Sequence, residues 1–112
     1  MKIFIDIDET ICSNNDDRDY DKAKPIKKNI AKMNALFDSG HNITYWSARG
    51  SGTGIDWYDV TKDQFEKWDV KYHHLILGEK PIYDLLIDDK AINVNSLDSL
   101  NRFIKKKAII NN

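Results

Sequence analysis

The fold is decided by the N-terminal stretch at residues 2–10, which reads KIFIDIDET. Residues 2–7 form a short apolar run rich in β-forming side chains, which is typical of a buried central strand. Two acidic residues, Asp6 and Asp8, occur where this run ends. The stretch therefore predicts a strand that carries two carboxylates to one edge of a sheet.

The rest of the chain predicts an alternation of helices and strands. A polar loop at residues 13–24 comes first, and apolar residues then recur at helical or strand spacing. The predicted helices cover residues 26–37, 61–68 (capped by Thr61) and 96–107. The predicted strands after the first cover residues 42–46, 75–77 and 83–87. This order favours an α/β fold in one domain, residues 1–112, with a parallel sheet and helices on both faces.

Three of the predicted strand ends carry polar side chains. Asp6 and Asp8 follow the first strand, Ser47 follows the second, and the pair Asp88 and Asp89 follows the last. These ends face the same way in a parallel sheet, so we expect one shared crevice. Converging carboxylates repel one another unless a cation lies between them. Mg²⁺ prefers such oxygen ligands, and the chain has no Cys or His cluster with zinc spacing.

The same crevice is predicted to bind a phosphate group. Lys80 supplies a positive charge, Ser47 a hydroxyl, and the backbone of Ala48 and the glycine-bearing loop after it supplies N–H donors. Arg49 is equally suited to contact a phosphate or sugar and to cap that loop. A carboxylate that faces the phosphorus of such a ligand can attack it.

These residues, taken in order, resemble the four motifs of the haloacid dehalogenase (HAD) superfamily. The motif residues are Asp6-Ile7-Asp8-Glu9-Thr10, Ser47, Lys80 and Asp88-Asp89. Residues 45–50 (YWSARG) and 83–93 (YDLLIDDKAIN) are also similar to small phosphatases associated with capsule polysaccharide biosynthesis. The resemblance covers nearly the whole chain, and it implies a Rossmann-like, HAD-type domain that hydrolyses phosphomonoesters.

The resemblance also implies a role for each motif residue. Asp6 is expected to be the nucleophile that forms an aspartyl-phosphate. Asp8 is expected to be the general acid, which requires a raised pKa. Thr10 would steady the loop, and Glu9 stands where many members of the superfamily have glycine. The implied ligands of Mg²⁺ are Asp6, the backbone carbonyl of Asp8, and Asp88. Asp89 is implied either as a further direct ligand or as a residue that contacts one of the ligands. The implied ligands of the phosphoryl oxygens are Ser47 and Lys80.

Composition limits the partners of the protein. The 17 basic and 18 acidic residues give no overall field that would favour nucleic acid. No apolar run approaches the roughly 20 residues needed to span a bilayer. The single cysteine, Cys12, cannot form an intramolecular disulfide. We therefore expect a cytoplasmic protein that binds a small phosphorylated substrate and neither nucleic acid nor membrane.

Other functions remain open at this point. A receiver-type phosphoacceptor domain gathers similar residues around magnesium. In such a domain the acidic pair follows the first strand and the phosphorylated Asp lies on a middle strand. Here Asp6 and Asp8 come first and the pair Asp88-Asp89 comes last. A catalytically silent binding module is a second alternative. Phosphomutase, nucleotidase and polynucleotide 3′-phosphatase activities share the same phosphoryl-transfer core.

A cap domain usually sets substrate choice in this superfamily, and the sequence leaves little room for one. Between Ile11 and Pro25, and between Gly50 and Val60, only loops fit. The expected substrate, a sugar phosphate, would then cover the site itself, or neighbouring subunits of a homo-oligomer would supply the walls.

Overall fold

The computed structural model describes residues 1–14 and 19–104. The chain divides into two compact units, Met1–Ile82 and Tyr83–Asn112. The strands, all in the first unit, are β1 Lys2–Asp6, β2 Cys12–Ser13, β3 Lys24–Pro25, β4 Asn42–Ser47 and β5 His74–Leu77. The helices of that unit are a 3₁₀ turn at Tyr20–Lys22, α1 Lys27–Asp38 and α2 Tyr58–Lys67. The alternation of strands and helices confirms the α/β class.

The central sheet has three parallel strands in the order β1-β4-β5. Both crossovers advance in the same direction, and right-handed crossovers then place α1 and α2 on the same face. On that face the ring of Tyr45 packs edge-on against Phe65 of α2, with ring centroids 5.0 Å apart. On the other face Phe4 is 55% exposed. Within the described residues of this unit, helices thus cover one face, whereas the sequence predicted both.

The first helix agrees with its predicted position and the second begins earlier. In α1 the buried residues Ile30, Met33 and Leu36 recur every third position and form its core-facing stripe. Helix α2 begins at Tyr58 instead of residue 61, so Thr61 is not its cap. None of the helices among residues 1–14 and 19–104 is long and apolar enough to cross a membrane.

The segment between β1 and α1 forms a small hairpin. Strands β2 and β3 pair in antiparallel fashion, with Cys12 opposite Pro25. The 3₁₀ turn lies within this segment, which the sequence predicted to be a loop at residues 13–24. Residues 15–18 of that prediction lie outside the described residues. The part of the segment that is described contains short elements and no separate cap domain.

The second unit corrects the prediction of a fourth strand. Residues 83–87 adopt no strand, and Leu85 and Ile87 are 75% and 88% exposed. A β-rich composition favours a strand only where a neighbouring strand accepts its hydrogen bonds, so the apolar run alone did not determine the structure. The predicted helix at 96–107 appears as a 3₁₀ helix at Val94–Ser99 and helical backbone at 100–104, and its last residues lie outside the described range.

Candidate functional site

Asp6 is the last residue of β1 and presents a partly exposed carboxylate. The backbone N–H of Ile7 donates to Asp6 Oδ1 at 2.9 Å. The ammonium of Lys80 lies 3.1 Å from the same oxygen. The Asp6 side chain is 39% exposed, so part of the carboxylate reaches solvent. The structure therefore brings together two residues that the sequence predicted for one site.

Lys80 is almost completely buried, at 6% exposure. Its ammonium lies 5.4 Å from the centre of the Trp46 ring. Its backbone carbonyl accepts a hydrogen bond of 2.8 Å from the hydroxyl of Ser51. Burying an ammonium is costly unless an anion compensates the charge. The ion pair with Asp6 provides that compensation and directs the positive charge toward the accessible carboxylate.

Asp8 is held by an arginine that donates to both of its oxygens. Arg49 Nε donates to Oδ2 at 3.0 Å, and Nη2 donates to Oδ1 at 2.8 Å. Asn14 Nδ2 adds a bond of 2.7 Å to Oδ1, and the Ser47 hydroxyl lies 3.3 Å from Oδ2. A planar guanidinium that meets a carboxylate in this forked geometry fixes its orientation as well as its charge.

The pKa of Asp8 departs from the expectation for a general acid. Burial on its own raises the pKa of this carboxyl, but the hydrogen bonds and positive charge of Arg49, with a further bond from Asn14, lower it by more. The net result is a pKa below the ordinary value of 3.8. The prediction of a raised pKa was therefore wrong for this arrangement, because the sequence did not reveal the arginine beside the carboxylate.

Arg49 is itself buried, at 1% exposure. Its Nη1 donates to Thr61 Oγ1 at 2.9 Å and to Gln64 Oε1 at 2.8 Å. The ring of Tyr20 lies over the guanidinium, with its centre 4.9 Å from the central carbon. Each nitrogen of the guanidinium is thus directed at a protein group. The sequence left Arg49 between phosphate contact and loop capping, and the structure adds a third role, which is to hold Asp8.

Three further residues of the predicted site support this end of the sheet. The hydroxyl of Ser47 accepts a 3.0 Å hydrogen bond from the backbone N–H of Arg49 and is 1% exposed. The Ala48 carbonyl accepts a 2.9 Å bond from the backbone of Ser51 and closes the turn after β4. Thr10 accepts a 2.9 Å bond at its carbonyl from the Asn29 side chain. The phosphate contacts expected of Ser47 and Ala48 stay predictions.

Two turns near the site require an unusual backbone. Glu9, directly after Asp8, has φ 61°, a left-handed conformation that glycine adopts most easily. This conformation gives a physical reason for the glycine that many members of the resembled superfamily have at this position. Gly50, in the loop after β4, has φ +83°, and a Cβ there would collide with the carbonyl oxygen of Ile55.

Asp88 and Asp89 belong to the second unit and are exposed. The backbone N–H of Lys90 donates to Asp88 Oδ1 at 2.9 Å and forms a local turn. This bond, with a smaller contribution from Asp89, holds the pKa of Asp88 below its ordinary value. Among the described residues, no group of three or more His, Cys, Asp and Glu side chains is placed to hold a metal ion. The joint magnesium site stays a prediction.

One carboxylate of the first unit, that of Asp6, would suit a magnesium ion. Mg²⁺ in phosphoryl-transfer sites usually binds one or two carboxylates, water and substrate phosphate. The partly exposed carboxylate of Asp6 suits that role. The carboxylate of Asp8 is occupied by Arg49, which agrees with an expected contribution from its backbone carbonyl instead.

Sequence reasoning missed several residues around Asp8. Cys12 lies with its sulfur 3.6 Å from Asp8 Oδ1, and burial raises the pKa of this thiol to about 12, so it remains protonated. Asn14, Thr61 and Gln64 were not identified either. A detectable signal did exist for the last two, because they are polar residues three positions apart, on the same side of α2 as the apolar core.

Comparison with known proteins supports the fold and leaves the activity open. No family model matches the chain, and no curated protein matches it. The crystal structure of a structural-genomics target from Vibrio cholerae is similar, with a TM-score of 0.79 and 21% sequence identity. The match covers 96% of this chain and 99% of that chain. At this identity the likeness shows a shared fold, and the description of that structure names no activity.

Proposed function

We propose that the protein is a magnesium-dependent phosphomonoesterase of the HAD type, in which Asp6 is the nucleophile. The observation that carries the proposal is the partly exposed Asp6 carboxylate at a strand end, paired at 3.1 Å with the buried ammonium of Lys80. An exposed anion beside a buried cation suits an attack on a phosphate, because the cation offsets the repulsion between two anions. The preferred substrate, a sugar phosphate of surface-polysaccharide synthesis, rests on the resemblance.

The reaction begins with nucleophilic attack by Asp6. Its oxygen forms a bond to phosphorus while the bond from phosphorus to the leaving oxygen breaks, and the leaving oxygen takes up a proton. Water then hydrolyses the aspartyl-phosphate and restores Asp6. Asp6 and the carbonyl of Asp8 would hold Mg²⁺, which supplies positive charge to the phosphoryl oxygens. Lys80 adds a second positive charge on the side of Asp6.

In the structure the Asp8 carboxylate is ionised and can act as a base. It can act as an acid only when its pKa rises. Arg49 holds it as a carboxylate, and in that state it accepts a proton from the water that attacks the intermediate. A phosphate dianion arriving nearby opposes the effect of Arg49, because like charges raise the pKa of a carboxyl. The first step therefore requires substrate binding to raise the pKa of Asp8 far enough for the carboxylate to take up a proton from solvent.

The test measures phosphate release from sugar phosphates, nucleotides, a 3′-phosphorylated oligonucleotide and an aryl phosphate, with and without Mg²⁺. Asp6→Asn removes the nucleophile and is expected to lower kcat by on the order of a thousandfold or more. Asp63→Asn, which changes an exposed carboxylate on α2, is the matched control and is expected to retain activity. Equal activity of wild type and Asp6→Asn would rule out the proposed nucleophile.

One observation favours a second candidate, a phosphoacceptor domain. The fork of Arg49 covers both oxygens of Asp8. An acyl-phosphate on Asp6 would be long-lived if this fork kept Asp8 from accepting a proton from the attacking water. In that case an acyl-phosphate donor labels wild type stably, Asp6→Asn remains unlabelled, and no phosphomonoester is turned over. Rapid turnover with no stable label supports the phosphatase instead.

Subunit association is a separate part of the proposal. The described residues between β1 and α1 form only a small hairpin, which leaves substrate selection to the substrate itself or to a neighbouring subunit. A strictly monomeric protein in a solution size measurement would eliminate the neighbouring subunit.

A further inference from the structure

The side of Arg49 that faces away from Asp8 is fixed by Gln64 of α2. Gln64 is 7% exposed, and its Oε1 accepts a 2.8 Å hydrogen bond from Arg49 Nη1. Its Nε2 donates to the backbone carbonyl of Tyr20 at 2.5 Å. Both ends of one buried amide are therefore used, and they join α2 to two segments that are distant in sequence.

This contact determines the direction of the whole guanidinium. The group is planar, so an acceptor that holds Nη1 also fixes the plane and the edge formed by Nε and Nη2. That edge carries the two hydrogen bonds to Asp8. Thr61 supplies a second acceptor for Nη1 at 2.9 Å. Its hydroxyl also donates to the carbonyl of Trp57 at 2.8 Å, so this acceptor is held in place by its own helix.

Gln64 also fixes the aromatic cover of the guanidinium. The backbone of Tyr20 is bound by the Gln64 amide, and the ring of the same tyrosine lies over Arg49. The Tyr20 ring in turn packs edge-on against Trp57, with centroids 5.1 Å apart. One side chain thus restrains the guanidinium both within its plane and from above.

We propose that Gln64 is a positioning residue for the reaction, which acts through Arg49 to hold the Asp8 side chain toward the leaving oxygen. This inference rests on the proposed phosphatase function for its catalytic part. The geometric part, in which Gln64 orients Arg49, stands on the hydrogen bonds alone.

The geometric part is tested by nuclear magnetic resonance of the Arg49 Nε–H group in ¹⁵N-labelled protein. Gln64→Met has a side chain of similar length without polar atoms, and Glu66→Met changes an exposed residue of the same helix as a matched control. We expect hydrogen exchange at Nε to become faster by about tenfold or more in Gln64→Met and to stay unchanged in Glu66→Met. Gln64→Glu, which keeps an acceptor for Nη1, is expected to restore slow exchange. Unchanged exchange in Gln64→Met overturns the proposal.

The catalytic part is tested by the dependence of kcat on the leaving group. An alkyl phosphate needs protonation of its leaving oxygen, whereas an aryl phosphate with an acidic phenol needs it far less. We expect Gln64→Met to lower kcat for the alkyl phosphate by about tenfold, with the aryl phosphate and both KM values little changed. An equal loss for both substrates shows a purely structural role and overturns the proposal.

The two readouts separate this proposal from the proposed function. Faster exchange at Arg49 in a protein whose wild type releases no phosphate would refute the phosphatase and leave the orientation of Arg49 by Gln64 established. If Gln64→Met does not fold, Gln64→Asn replaces it, because its shorter amide remains polar and does not reach Nη1. Wild-type exchange and a wild-type leaving-group ratio in that variant overturn the proposal equally.

Discussion

Replacing Arg49 with methionine provides a stringent test of the site, because the protein contains a matched ion pair for comparison. The pairs Arg49–Asp8 and Lys71–Asp38 are both 2.8 Å long. The first has side-chain exposures of 0% and 21%, and the second has 48% and 58%. A difference between the two effects on stability therefore does not come from distance, and it reflects burial together with the further hydrogen bonds of Arg49.

The expected magnitudes differ several-fold. Removing one partner of a buried ion pair costs about 3–5 kcal/mol, because the remaining charge stays buried without compensation. Arg49→Met also leaves the acceptors of Thr61 and Gln64 without their donor, which adds to the cost. Removing one partner of an exposed pair costs about 0–1 kcal/mol. We therefore expect Arg49→Met to lose several kcal/mol of unfolding free energy and Lys71→Met to lose less than about 1 kcal/mol.

The assay is urea unfolding followed by tryptophan fluorescence. All three tryptophans, Trp46, Trp57 and Trp68, lie in the unit that contains Arg49, so the signal reports on that unit. Adding Asp8→Asn to Arg49→Met removes the uncompensated charge and is expected to recover part of the loss. If Arg49→Met loses no more unfolding free energy than Lys71→Met, the hydrogen bonds from Arg49 to Asp8 do not stabilise the fold. The role of Arg49 in holding Asp8 would then be refuted.

Two further predictions concern pH and the backbone. The folded-state pKa of Asp8 lies below its ordinary value, so its stabilisation is present above about pH 4 and is lost as pH falls through the folded-state pKa. Asp8→Asn should therefore flatten the stability profile between about pH 5 and pH 2 in acid titrations followed by circular dichroism, and an unchanged slope would contradict the ionised assignment. Gly50→Ala and Gly54→Ala both place a Cβ at positive φ, which costs about 1–2 kcal/mol, but only the first also meets the Ile55 carbonyl oxygen. Thermal unfolding should show the larger loss in Gly50→Ala, and equal losses would contradict the close approach.

The local parts of the structure could be predicted from the sequence. Helix α1 and strand β4 follow from apolar spacing, because each buries several of its own residues. Strand β1 occurs where its β-rich composition predicted a strand, but it is an outer strand of the described sheet and only Ile5 among its residues is buried, so the expectation of a buried central strand was wrong. The proximity of Asp6 and Lys80 could be predicted because both follow strands of a parallel sheet, whose carboxyl ends share one edge. In these cases local apolar patterns, together with the shared direction of parallel strands, are sufficient for the prediction.

The remaining features depend on partners that are distant in the chain. Residues 83–87 have a strand-like composition and yet adopt no strand, since pairing and not composition decides. The start of α2 was misplaced because Thr61, a common cap residue, instead contacts Arg49. The pKa of Asp8 depends on the same arginine, which lies 41 positions away. No sequence pattern around Asp8 predicts that an arginine contacts it.

The two aspartates of one motif are distinguished by the cations beside them. Asp6 is 39% exposed and faces a lysine, whose compact ammonium leaves part of the carboxylate accessible. Asp8 is 21% exposed and faces an arginine, whose fork covers both oxygens. An accessible carboxylate can approach a phosphorus atom, whereas a covered one can only exchange a proton at the position in which it is held. The proposed roles of Asp6 as the nucleophile and Asp8 as the proton carrier are thus supported by the geometry, independent of the order of the motif.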